Sequence, residues 1–107
     1  MQTVIQVVCK GAESLRAIIA SDEKLGDHRL QVIHSKRQHR SPGWAKVTST
    51  EREPGAINFA WSVSSHTLNV RVVTKRKKPF RIVGDFVAYL LARHSRRIVA
   101  VLISRVT

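Results

Sequence analysis

Two clusters of cationic side chains are the groups in this chain best suited to binding chemistry: Lys36, Arg37, His39 and Arg40 in one segment, and Lys75, Arg76, Lys77, Lys78 with Arg81 in another. Lysine and arginine neutralise phosphates and release condensed counterions, and arginine can also fork onto a phosphate or stack on a base. Trp44 lies just beyond the first cluster. An exposed aromatic beside cations is the combination that single-stranded nucleic acid uses for stacking. Arg96 and Arg97 complete the expected nucleic-acid-binding set. Each feature also has a structural reading. Charge runs at hairpin ends keep sheet edges in water, Trp44 can cap the core, and Arg93 and His94 suit the negative end of a helix dipole. Arg96 and Arg97 extend the Lys75 to Lys78 patch only if both connections share one edge of the sheet; at opposite ends of the intervening helix they stand roughly 20 Å apart.

Histidine chemistry is the second candidate. RNA cleavage without metal can use a histidine as general acid or base beside cations that stabilise the phosphorane, and the chain has five histidines in a basic background. Arg29 and His34 match an Arg-x4-His spacing that has meaning on a helix, but here they fall in an alternating segment that reads as a strand, where residues five apart point to opposite faces. His66 falls in a turn and His94 at a helix end, which reads as surface histidine in each case. No cofactor or metal is expected: His34 and His39 lack a second cysteine or a carboxylate pair to complete a zinc set, the seven acids are scattered, and no phosphate-cradling glycine loop is present. Asp85 has no identifiable partner for a catalytic role. Gly84 beside it reads as close packing of a helix on a sheet, or as a sign that the helix starts at Asp85.

The charge distribution sharpens the first reading. Of a net charge of +12, residues 28–50 carry five basic and no acidic groups, and residues 75–107 carry nine basic groups against Asp85 alone. Two positive zones joined by a nearly neutral middle favour a polyanionic partner. The single cysteine, Cys9, excludes an intramolecular disulfide and fits a reducing, cytoplasmic setting; within an apolar strand it reads as an inert buried thiol. The start of the chain lacks the basic flank of a signal peptide. No apolar run approaches the roughly 20 residues of a membrane-spanning helix.

The elements that position these groups follow from periodicity. Thr3 to Cys9 is β-branched and apolar, a largely buried strand. From Ala12 to near Gly26, Leu15, Ile18 and Ile19 form one helical stripe. Leu30, Val32 and His34 alternate as a strand, Pro42-Gly43 marks a turn, and Trp44 to Thr50 alternates again. Glu51 to Gly55 is a second turn, and Ile57, Phe59, Trp61 and Val63 share one face of a strand that forms a hairpin with Leu68, Val70 and Val72. Ile82, Phe86, Leu90 and Val83, Val87, Leu91 make two adjacent helical series, about three turns long. Ile98 to Ile103 is a continuous apolar run that reads as a central strand buried on both faces.

The expected fold is thus α+β: one domain in the order β-α-β-β-β-β-α-β, a mainly antiparallel sheet with two helices on one face and the first and last strands in its middle. The expected function is non-enzymatic binding of RNA or single-stranded DNA, ahead of duplex DNA, because no helix combines a basic face with a turn suited to the major groove. The alternatives are a small histidine-dependent ribonuclease, and a protein-interaction subunit that meets an acidic partner or forms a homo-oligomer through a sheet edge.

Overall fold

The computed structural model describes residues 2–33, 44–50, 55–74 and 81–106, with residues 44, 45 and 106 described through their backbone alone. Strand β1, Gln2–Cys9, buries Thr3, Ile5, Val7 and Cys9 and turns the alternate residues to the other face. Helix α1, Leu15–Ala20, starts at Ser14, whose Oγ accepts the Ala17 N–H at 3.2 Å, a side-chain cap for an otherwise orphan donor. Leu15 and Ile19, one turn apart, are its buried residues. The helix is shorter than the apolar stripe predicts. At its end the Ser21 hydroxyl donates back to the Ala17 carbonyl at 3.0 Å, and the chain re-forms as a separate 3-10 turn over Leu25–His28. Serine competes in this way for helix carbonyls. Arg29 then reverses direction in a left-handed conformation, φ 62°.

Strands β2 (Leu30–Ile33), β3 (Trp44–Ser49), β4 (Ala56–Ser62) and β5 (Thr67–Val73) form an antiparallel meander. Gly55 precedes β4 at φ 133°, where a Cβ would stand 3.2 Å from the Val73 carbonyl oxygen, so glycine is required there on both counts. Val63, expected on the buried face, instead lies in the β4–β5 turn and is 75% exposed. Helix α2, Arg81–His94, leads through a 3-10 turn, Ser95–Arg97, into β6, Ile98–Val106. The six strands stand in the order β2-β3-β4-β5-β1-β6, and every pairing is antiparallel.

The core lies on one side of this sheet. Register pairs Val7 with Leu68, Ile5 with Val70, Val70 with Phe59, and Ile57 with both Val72 and Val47, so these buried side chains share a face. Leu15 and Ile19 of α1 and Ile82, Phe86 and Leu90 of α2 cover it, with the Phe86 ring stacked 6.2 Å from that of Phe59. The α+β architecture, the element order and the single helical layer therefore agree with the sequence reading.

Two expectations about the last third of the chain are corrected. Of the two series on α2 only that of Ile82, Phe86 and Leu90 is buried; Val83 and Val87 are half-buried and Leu91 is 53% exposed, while Asp85, Tyr89 and His94 take the remaining buried positions. Strand β6 is an edge strand, not a central one. Leu102 and Ile103, on opposite faces, are each 53% exposed, and Val99 is 62% exposed. An apolar run specifies a strand but not its neighbours.

Candidate nucleic-acid interface

No described strand contains an aspartate or a glutamate; Glu13, Asp22, Glu23 and Asp27 lie between β1 and β2, and Asp85 lies on α2. Those with partners in the structure are engaged on or beside the helices. Asp85 accepts Arg29 Nη2 at 2.6 Å and faces Arg81 Nε at 3.7 Å. Asp22 meets Arg93 Nη2 at 3.2 Å, and Glu13 meets Arg97 Nη1 at 2.6 Å. The paired carboxylates are thus gathered on the helical side, while the described strands carry only neutral and cationic side chains.

Among the described residues, no layer covers the opposite face of the sheet. Antiparallel register sets its residues in rows across the strands. One row runs Ser104, Val4, Arg71, Asn58, Lys46, Ile33, and the adjacent row runs Leu102, Gln6, Asn69, Ala60, Trp44. Arg71, Asn69 and Gln6 are exposed, and Asn58 and Lys46 are half-exposed. Arg71 and Lys46 flank Asn58 two strands apart, roughly 10 Å by strand spacing. Among the described residues neither has a carboxylate partner. The row offers two cations with an amide between them and no described carboxylate against either. Sequence reading passed over these residues, because it weighed charge runs; the signal was the polar half of each alternating strand, Asn69 and Arg71 opposite Leu68 and Val70.

The residues singled out by charge fall in three places. Lys36, Arg37, His39, Arg40, Lys75, Arg76, Lys77 and Lys78 lie outside the described residues, as does the Trp44 side chain; register nevertheless places Trp44 opposite Ala60, in the open-face row. Ile33 and Trp44, which bracket residues 34–43, sit at the end of the sheet where β4 meets β5. Thr74, before residues 75–80, leaves from the other end, beside Gln2. The two basic segments thus join the sheet at opposite ends. Arg96 and Arg97 lie beside Cys9 and Lys10, at the end away from Thr74, so they do not extend the Lys75 to Lys78 run. They line a cleft of about 230 Å³ with Cys9, Lys10, Gly11 and Glu13. Burial raises the Cys9 thiol pKa against the opposing charge of Arg97, in keeping with an inert thiol. Arg81, at the start of α2, faces Asp85.

The histidine positions bear on catalysis. His94 is 6% exposed and its Nε2 lies 2.8 Å from Tyr89 Oη and 3.3 Å from Asp22 Oδ2. Tyr89 Oη donates its one hydrogen to Asp22 Oδ2 at 2.7 Å, so His94 bonds the phenol oxygen through an Nε2–H. Burial would raise the Asp22 pKa, but Tyr89, the Lys24 N–H and Arg93 together hold it down at about 2. Burial and then Asp22 push Tyr89 well above the usual phenol range, which keeps it a donor. Burial also lowers His94, more than Asp22 raises it. The group is a closed hydrogen-bonded network that fastens the end of α2 to the segment after α1; the surface histidine expected at position 94 is a buried one. The partner missing for Asp85 is Arg29. His66 occupies the β4–β5 turn at φ 49°, and His34 and His39 lie outside the described residues.

Among the described residues, no cluster of three or more His, Cys, Asp or Glu side chains is placed to hold a metal ion, and no helix is long and apolar enough to cross a membrane. Comparison of the chain with protein-family models, with curated proteins and with solved structures found no match.

Proposed function

We propose that this chain binds single-stranded nucleic acid, RNA or DNA, across the uncovered face of its sheet and performs no chemistry on it. The observation that carries this reading is the sorting of charge: carboxylates stay off every described strand, and the open face presents Arg71 and Lys46 on either side of Asn58. Phosphates meet the two cations, while Asn58, Asn69 and Gln6 supply amide donors and acceptors for sugar and base edges. Strand β3, which carries Lys46, follows the segment with Lys36, Arg37, His39 and Arg40, and β5, which carries Arg71, precedes Lys75 to Lys78. Cations thus flank the open face in the chain at both ends. A single strand can splay its bases on such a surface, whereas a duplex would need an element shaped for its groove.

The test is titration of a labelled mixed-sequence single strand with wild-type protein, an Arg71→Ala, Lys46→Ala double variant and a Lys24→Ala control on the helical side. The double variant is expected to bind more weakly, with a salt slope shallower by roughly 1.4, about 0.7 per phosphate contact on a single strand; the control is expected to bind as wild type. Equal affinity in all three removes the open face as the site.

A further inference from the structure

We propose that β6 is the interface of a two-fold dimer, in which β6 of one copy pairs antiparallel with β6 of a second copy about an axis at Leu102. Strand β6 is nine residues long, stands at the edge of the sheet, and is proline-free. Monomeric proteins blunt such an edge with charge, proline or a covering loop. Here residues 98–104 are uncharged in a chain of net charge +12, and the exposed residues include Val99, Leu102 and Ile103.

The hydrogen-bond phase decides which groups are available. The Cys9 N–H donates to the His66 carbonyl at 2.9 Å, so odd-numbered residues of β1 bond toward β5 and even-numbered ones toward β6. Gln6 faces Leu102 and Val4 faces Ser104, which leaves the N–H and C=O of Val101, Ile103 and Arg105 directed away from the sheet. A two-fold axis at Leu102, the middle of the strand, matches this phase. Val101 of each copy then exchanges both backbone bonds with Ile103 of the other, and the strands overlap along their full length. On the open face Leu102 lies beside Leu102 of the second copy; on the helical face the Val101 and Ile103 side chains meet.

A second copy fits this strand better than an acidic protein does, because the run 98–104 has no cation for an acidic partner to meet. The charge pattern also selects the register. About Leu102, Arg105 stands opposite Val99, whereas an axis one residue earlier would set it against Arg97 of the other copy. The opposite edge of the sheet, β2, is described over the four residues Leu30–Ile33; β6 is the long described edge, and pairing of β6 with its own copy closes at two. The inference uses backbone and apolar groups alone and does not depend on nucleic-acid binding.

Sedimentation or light scattering tests it on the purified chain, with circular dichroism to confirm folding. Wild type is expected at twice the chain mass of 12.1 kDa. Leu102→Lys places two ammonium groups side by side at the axis, and Ile103→Pro removes an outward N–H without touching the ladder to β1; each is expected at the single-chain mass with a wild-type spectrum. A wild-type chain that stays monomeric as concentration rises, or a dimer that persists in both variants, overturns the proposal.

Discussion

Arg29, held in the left-handed conformation at φ 62°, directs its guanidinium Nη2 to the Asp85 carboxylate of α2 at 2.6 Å, across 56 residues of sequence. The contact fixes the turn before β2 against the helix that covers the core, and it supplies the countercharge for a carboxylate that is only 7% exposed. A backbone strained for any side chain with a Cβ is thereby retained for what its side chain reaches.

This arrangement predicts an order of stabilities. Arg29→Gly loses the ion pair but relaxes the backbone, whereas Arg29→Ala loses the pair and keeps the unfavourable φ. Denaturant midpoints are expected to fall from wild type to Arg29→Gly to Arg29→Ala. An alanine variant as stable as wild type would show that the pair contributes nothing.

Gly84 lies on the exposed side of α2, where an added Cβ would meet nothing within 4 Å. Neither close packing nor a helix start at Asp85 accounts for it, since the helix already begins at Arg81. Gly84→Ala is therefore expected to stabilise the fold by up to about 1 kcal/mol. A drop in melting temperature would mean that this side of the helix is covered.

Acid is expected to weaken the fold in two stages. The folded-state pKa of His94 lies below its ordinary 6.5 and that of Asp22 is depressed from 3.8 to about 2. In both cases the unfolded chain takes up the proton more readily, so the stabilisation is fully present above the ordinary pKa and is lost as pH falls through the folded one. Unfolding free energy should decline first below pH 6.5, from His94, and again between pH 3.8 and about 2, from Asp22. His94→Gln keeps a donor toward Tyr89 and is expected to abolish only the first decline. A variant with the wild-type profile above pH 4, roughly the ordinary carboxylate range, would assign that decline elsewhere.

The fold was legible where burial and periodicity coincide. Ile57 and Phe59 against Leu68, Val70 and Val72 follow a period of two, and Ile82, Phe86 and Leu90 follow the helical turn. Position within the sheet was not legible. Ile98 to Ile103 has the composition of a central strand, and only the chain's path through α2 sets it at the edge beside β1. The charge runs drew attention to residues 36–40 and 75–78, whereas Arg71 and Lys46 are single cations in alternating strands. Only strand register brings them into one row with Asn58. Asp22, Tyr89 and His94 are likewise brought together by the packing of α2 on the segment after α1, a contact that no local pattern in the sequence encodes.

The central claim is that the uncovered sheet face, through Arg71 and Lys46, binds single-stranded nucleic acid without cutting it. Fluorescence anisotropy of an end-labelled single-stranded RNA, titrated at increasing salt and followed by gel analysis of the same samples, tests both halves at once. The account predicts saturable binding at low salt whose logarithmic affinity falls linearly with the logarithm of salt concentration. It predicts a weaker, shallower response in the Arg71→Ala, Lys46→Ala variant, and intact RNA throughout. Salt-independent affinity, binding unchanged in that variant, or RNA cleaved without added metal would contradict it.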